Sequence, residues 1–394
     1  MQSFDVLLVG AGIVGCACAQ ELAQAGLRVG LIEGNVPGSG ATAAGMGHVV
    51  VMDDSPAQLA LTHYSRTLWL DLLPTLPASV EYESRGTLWV AADEEEMAEV
   101  HAKYALCRST GIRAEILNPA QLAHAEPNLR TGLAGALLVP DDGVIYPPAA
   151  AGFFLDQARF AGATLIQGSA AVSAGHGKVL LADGTPLSAE RVVLATGADC
   201  ALLPSMPIRK RKGHLLITDR YPGFVQHQLV ELGYLKSAHS VVADSVAFNI
   251  QPRQTGQLLI GSSRQFDNED PSTDTAIVRQ MLARAHAYMP GLAQLSGLRL
   301  WTGFRAATPD KLPLIGPAAS LTPEPDPSLW LAAGFEGLGI TNAPAAARLL
   351  ADQILARPSA IDTAPYLPER FAASPSDVAV SEPALSNPQE SFHA

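Results

Sequence analysis

The run Gly10-Ala11-Gly12-Ile13-Val14-Gly15 constrains this chain more than any other feature. It follows an apolar stretch, residues 4–9, that predicts a buried parallel strand, and it opens a stretch over residues 16–25 that predicts a helix. In that setting Gly10 permits the tight turn, Gly12 lets the backbone approach a pyrophosphate, and Gly15 lets helix and strand pack closely. Ile13 and Val14 lie in the turn whose amide groups face the phosphates. A second strand is expected over residues 28–33, and Glu33, followed by Gly34, falls where a carboxylate grips ribose hydroxyls. An acid there disfavours a 2′-phosphate, so FAD or NAD is expected rather than NADP.

A segment almost without side-chain bulk comes next, Pro37-Gly38-Ser39-Gly40-Ala41-Thr42-Ala43-Ala44-Gly45-Met46-Gly47. Such a segment either moves or lies against something flat and large. Behind a dinucleotide fingerprint the second option is favoured, with backbone amides and the Ser39 or Thr42 hydroxyl meeting a pyrophosphate and a flavin ring.

With 394 residues the chain can form two domains with full cores. Its net charge of −12 argues against a nucleic-acid partner. The short basic cluster Arg209-Lys210-Arg211-Lys212 reads as a solvated turn or loop face rather than an anion- or partner-binding patch. Cys16 and Cys18 read as small packing residues, Cys107 and Cys200 lack metal-ligand spacing, and no metal site is expected. No apolar run approaches the roughly 20 residues of a membrane span, and the first strand leaves no room for a signal peptide. A cytoplasmic protein is expected, with peripheral association at the inner membrane left open.

Further helices are expected over residues 55–73, 93–111, 146–161, 273–289 and from Gly337 to about Leu355. Strands are expected over residues 81–91, 135–139, 215–218, 246–251, 257–261 and 328–334, with residues 163–166 and 179–181 bracketing a hairpin-like region turned at Asp183-Gly184. The run Arg191-Val192-Val193-Leu194-Ala195-Thr196-Gly197-Ala198 would return the chain to the nucleotide unit. The fold class is therefore α/β, a Rossmann-type FAD-binding domain interleaved with a mainly antiparallel β-sheet substrate domain. The expected division gives the first domain residues 1–80, 145–210 and 305–365, and the second 81–144 and 211–304. Residues 366–394, rich in Pro, Ser and Ala, are expected to form a disordered tail.

Together these motifs resemble the D-amino-acid oxidase/glycine oxidase family of FAD-dependent amine oxidoreductases. The resemblance also rests on Trp301-Thr302-Gly303-Phe304-Arg305 through Asp310, on Pro313-Leu314-Ile315-Gly316, and on Ala333-Gly334-Phe335-Glu336-Gly337-Leu338-Gly339-Ile340-Thr341. Within the family, the last of these and Gly261-Ser262-Ser263-Arg264 look most like the FAD subunit of hydroxyproline dehydrogenases and related opine-type enzymes. That group implies small iron–sulfur or second-flavin subunits in a hetero-oligomer rather than direct electron transfer to oxygen.

The resemblance implies that Arg305 clamps the substrate carboxylate, in keeping with the two parallel bonds a guanidinium offers. It implies a substrate-facing Asn249 and a cavity-lining Arg264, which either binds a second polar group of the substrate or forms a salt bridge at the domain seam. His48 faces the cavity or packs against backbone, and Glu336 joins the substrate end. Gly337 stands where glycine oxidase has an arginine, which argues against glycine as substrate. Val172, Ala195, Thr196, Gly197, Gly303, Arg305 and Gly334 complete the implied cofactor contacts, and the amides of residues 337–341 would face the flavin N1–C2 edge. FAD should be non-covalent, because no cysteine follows the Thr-Pro-Asp region.

The implied reaction is hydride transfer from Cα of a neutral amine, best matched by cis-4-hydroxy-D-proline, to flavin N5. The alternatives are a D-amino-acid or glycine oxidase producing hydrogen peroxide, a non-catalytic FAD scaffold subunit, and an NAD-dependent dehydrogenase.

Overall fold

The computed structural model describes residues 3–233, 244–266 and 268–372. It contains two large sheets. The first runs in the spatial order Leu314–Pro317, Leu329–Ala333, Pro186–Leu194, Ser3–Val9, Val29–Glu33, Thr164–Gln167. All neighbours in this order are parallel except the first pair, and a hairpin of Ala171–Gly175 with Lys178–Leu181 adds antiparallel to Pro186–Leu194. Val6, Leu7 and Leu8 are fully buried, as a central parallel strand covered on both faces requires.

One face of this sheet is covered by the helices Ile13–Gln24, Pro147–Phe160 and Gly339–Ile354, with Pro56–Leu72 behind them. Small buried residues on the first and last of these helices, Cys16, Ala17, Cys18 and Ala19 on one and Ala346 and Ala347 on the other, suit close packing of the layer. The two cysteines are packing residues here, and burial pushes the Cys16 thiol up to about 12.

The second sheet has the order Gly297–Ala307, Arg209–Arg220, Gln257–Phe266, Ser245–Pro252, Gln228–Glu231, Thr87–Ala91, Gly135–Val139, Glu115–Leu117. It is antiparallel apart from the pairing of Gln228–Glu231 with Thr87–Ala91. A two-stranded ribbon, His48–Val49 with Gly143–Val144, ties the small-residue segment to the base of the helix Pro147–Phe160.

Four sequence expectations are corrected. The basic cluster is not a solvated turn. It opens a strand of 12 residues between two others, in which Arg211 is buried and Lys212 is 1% exposed. Residues 163–166 form no hairpin arm, since Thr164–Gln167 pairs in parallel with Val29–Glu33; the turn at Asp183-Gly184 joins Lys178–Leu181 to Pro186–Leu194. Residues 81–86 precede the strand, which starts at Thr87. The start of the expected tail is ordered: Tyr366 is 1% exposed, its hydroxyl donates to the Ala57 carbonyl, and Arg370 pairs with Asp310 at 2.7 Å. The rest of that tail, from residue 373, lies outside the described residues.

Candidate functional site

A cavity of about 630 Å³ lies between the two sheets, from Glu33 at one end to Arg264 and Arg305 at the other. At the Glu33 end the carboxylate closes the first turn by accepting from Ala11 N at 2.8 Å and Asn35 N at 2.8 Å. Gly15 lies outside the cavity but is decisive for its wall, because a Cβ there would stand 1.9 Å from the Gly10 carbonyl oxygen. The Thr42 hydroxyl accepts from Ile13 N at 3.0 Å and so locks the small-residue segment onto the start of the nucleotide helix.

That segment is pinned on its other side as well. Trp301 Nε1 donates to Ala44 O at 3.3 Å, and Gln251 Nε2 donates to Met46 O at 2.8 Å. A surface of near-bare backbone results, running through Ser39, Gly40, Ala41, Thr42, Gly45, Met46 and Gly47 along the cavity wall. Opposite it lie Ala195, Thr196 and Gly197, then Gly334, Gly337, Leu338, Gly339 and Ile340 at the start of the last helix. Gly10, Gly12, Ile13, Val14, Gly34 and Gly303 complete the expected lining.

Besides Gly15, two expected cofactor residues stand elsewhere. Val172 is 56% exposed on a hairpin strand, and Ala170 and Ala171 line the cavity in its place. Thr341 is buried behind the wall, where its hydroxyl donates to His48 O at 2.8 Å and accepts from Val50 N at 3.3 Å. It fixes the wall and does not line it.

At the far end, Arg305, Arg264, Asn249, His48 and Glu336 all line the cavity. The Arg305 guanidinium lies across the strand Arg209–Arg220 at Gly213, where a Cβ would stand 2.5 Å from Nη1, and Nη1 donates to Ser263 O at 3.0 Å. Ser263 is held in turn: its hydroxyl accepts from His214 N at 2.9 Å and faces His214 Nδ1 at 2.9 Å, while His214 Nε2 accepts from Asp274 N at 3.0 Å. Burial first, and then the neighbouring Arg211, pushes Arg305 down to about 10, which leaves it a cation at neutral pH. Arg264 is lowered by burial and by Arg211 and Arg305, so three guanidiniums share this end. Glu336 accepts from Arg211, and this pairing makes it a charge partner rather than a free base.

Burial, followed by the Arg305 charge, pushes the His48 imidazole down to about 4, and Nε2 has no hydrogen-bond partner among the described residues. The ring is therefore neutral at pH 7. Because the folded value lies below the ordinary 6.5, the unfolded chain takes up the extra proton between the two. The stability linked to His48 is thus complete above about pH 6.5 and is lost as pH falls towards 4. Urea unfolding at pH 7.5 and pH 5 should show a smaller acid loss in His48→Asn than in the parent; equal losses would remove His48 as the cause.

Several residues here were not anticipated. Arg211 sits inside the basic run read as surface and Gly213 directly follows that run, while Gln228 lines the wall from one strand and Thr87 and Trp89 from its neighbour. Substituting Gly213→Ala is expected to displace the Arg305 head, raising KM for a carboxylate substrate about tenfold with flavin content unchanged. Steady-state kinetics on matched holoprotein would check this.

The glycine-lined wall, the Glu33 end and the helix start at Gly339 fit a dinucleotide carrying a flat ring. None of the four cysteines lines the cavity. Residues 5–353 match the family described as FAD dependent oxidoreductase, DAO. The chain belongs to that family. FAD is accordingly its cofactor, and this DAO-family chain is an oxidoreductase.

The glycine oxidase of Geobacillus kaustophilus is 30% identical over 374 residues, covering 92% of this chain and 96% of that protein. Its crystal structure superposes with a TM-score of 0.83, covering 95% of this chain and all of the other. The hydrogen cyanide synthase subunit HcnC of Pseudomonas aeruginosa is 24% identical, covering 96% and 99% of the two chains. The L-proline dehydrogenase of P. horikoshii, 23% identical with a TM-score of 0.81 over 94% and 98% of the chains, shares the fold. Among the described residues no helix is long and apolar enough to cross a membrane, and no group of His, Cys, Asp and Glu could hold a metal ion.

Proposed function

We propose that this chain oxidises a secondary or cyclic α-amino acid to the imine, with cis-4-hydroxy-D-proline as the leading substrate. The observation that carries this reading is the Arg305 head, held by Ser263 O in the Gly213 groove at the cavity end opposite the glycine-lined wall. Its free edge offers two parallel charge-assisted bonds to a carboxylate and so fixes the direction of the Cα–H bond. Orientation of this kind is worth several kcal/mol of barrier.

FAD bound along the wall supplies the acceptor for the hydride that leaves Cα. The substrate amine must be neutral, so that its lone pair forms the C=N bond as the hydride departs; the protonated imine then releases its proton to solvent. No side-chain base is needed at Cα, in keeping with a neutral His48 and a Glu336 engaged by Arg211. Asn249 and Arg264 are assigned to the substrate side of the same pocket and the amides of residues 337–340 to the flavin edge.

Electrons then leave to an acceptor other than oxygen, through a small iron–sulfur or second-flavin subunit. Support comes from the full-length likeness to HcnC, itself a subunit of a larger enzyme. Residues 1–80, 145–210 and 305–365 are assigned to the FAD domain, 81–144 and 211–304 to the substrate domain, and the protein to the cytoplasm. The second reading, an oxidase producing hydrogen peroxide, is favoured by the likeness to glycine oxidase.

Anaerobic titration of the yellow protein with cis-4-hydroxy-D-proline, D-proline, D-alanine and glycine, followed by air, tests the proposal. Bleaching by the first and slow return of colour in air are expected. Fast return with peroxide would favour the oxidase, and bleaching by none of them would overturn the substrate class.

A further inference from the structure

The last helix, Gly339–Ile354, contains Pro344 in its second turn. Proline has no N–H, so the carbonyl of Ile340 loses its helical donor. Two side chains of the helix Pro56–Leu72 repair the gap. Trp69 Nε1, on a side chain 0% exposed, donates to Ile340 O at 3.2 Å and to Thr341 O at 3.0 Å. The Ser65 hydroxyl donates to Thr341 O at 2.7 Å while accepting from Ala345 N at 3.2 Å, and thereby inserts itself into the next rung.

The effect reaches the cavity through peptide units. The Thr341 carbonyl and the Asn342 N–H belong to one amide, and Asn342 N donates to Leu338 O at 2.8 Å. The Leu338 carbonyl and the Gly339 N–H belong to the next amide, and Gly339 lines the cavity. Hydrogen bonds in such a chain polarise one another, so the donors at Ser65 and Trp69 strengthen the positive end presented by residue 339.

We propose that Ser65 and Trp69 are positioning residues that set the electron affinity of the bound flavin without touching it. Their hydrogen bonds hold and polarise the proline-broken start of the last helix. The proposal rests on the placement of the flavin edge at residues 337–340 given above. Negative charge arriving on the flavin is met by amides whose orientation these two side chains maintain.

The test is the two-electron potential of the bound FAD, measured against reference dyes, together with the affinity for sulfite. In Ser65→Ala the ratio of oxidised to reduced flavin at a fixed potential should rise about tenfold, a fall of ~30 mV, with sulfite binding weakened in parallel. Ser65→Thr keeps the hydroxyl and should keep the parent values. Trp69→Phe should shift in the same direction as Ser65→Ala, and Pro344→Ala, which gives the Ile340 carbonyl an amide donor, should recover part of that loss. Should Trp69→Phe fail to fold, the Ser65 pair carries the test alone.

A parent protein with a potential and sulfite affinity equal to those of free FAD would overturn both the flavin placement and this inference. A shifted parent with an unchanged Ser65→Ala would overturn only the inference.

Discussion

Replacing Arg305 by Met is expected to raise KM for the amino-acid substrate about 100-fold and to lower kcat as well. A pair of charge-assisted hydrogen bonds to a carboxylate is worth about 2–3 kcal/mol, and each 1.4 kcal/mol is tenfold in affinity. The loss in kcat follows because the carboxylate no longer aims Cα–H at the acceptor. Arg305→Lys should fall between the two, since an ammonium keeps the charge but not the planar fork. The natural arginine lies in a groove that only Gly213 leaves open and is tied to Ser263 O, so its aim is set by the sheet as well as by the substrate. The decisive data are steady-state kinetics together with the FAD content of each variant. A KM within about threefold of the parent would remove Arg305 from the carboxylate site.

The second large effect is expected from Glu336→Gln. Arg211 and Glu336 form a nearly enclosed ion pair, and Arg211 shares its surroundings with Arg264 and Arg305. Removing the carboxylate leaves a buried guanidinium uncompensated among like charges, a loss of about 3–5 kcal/mol for a buried pair broken on one side. A carboxylate ligand such as acetate should restore part of the stability, because it supplies negative charge to the same cluster and binds only the folded state. Urea unfolding with and without acetate reads both effects. A variant as stable as the parent would show that the cluster is balanced elsewhere.

The nucleotide half of the site was legible because its signals are local. The turn at residues 10–15, the acid at 33 and the small-residue run each carry their meaning within a few positions, and Gly10, Glu33 and Gly40 line the cavity as expected. The substrate half depends on partners far apart in the chain. Arg211 reads as surface until Glu336, 125 positions later, is brought against it by a backbone bridge between Ala306 and Glu336. Gly213 matters only because an arginine on the neighbouring strand lies over it. Val172 was misplaced by a strand alternation that turns its side chain outward, and Tyr366 by a composition that hides one anchoring aromatic in a Pro-rich stretch. Ser65 and Trp69 gave no sequence signal, because the gap they fill is created by Pro344 in another helix.

The order in which the first sheet is assembled has a consequence for biosynthesis. Its central strand, Ser3–Val9, is made first, but the neighbour Pro186–Leu194 is then flanked by Leu329–Ala333, and the helix that caps the cavity ends only at Ile354. A ribosome has therefore translated nearly the whole nucleotide domain before the flavin has a floor, a wall and a lid at once. Until then the nascent protein carries an open apolar seam of the kind that chaperones shield during vectorial synthesis. Cofactor capture is thus expected late in maturation, and flavin supply in the cell should govern how much of the newly made polypeptide escapes proteolysis.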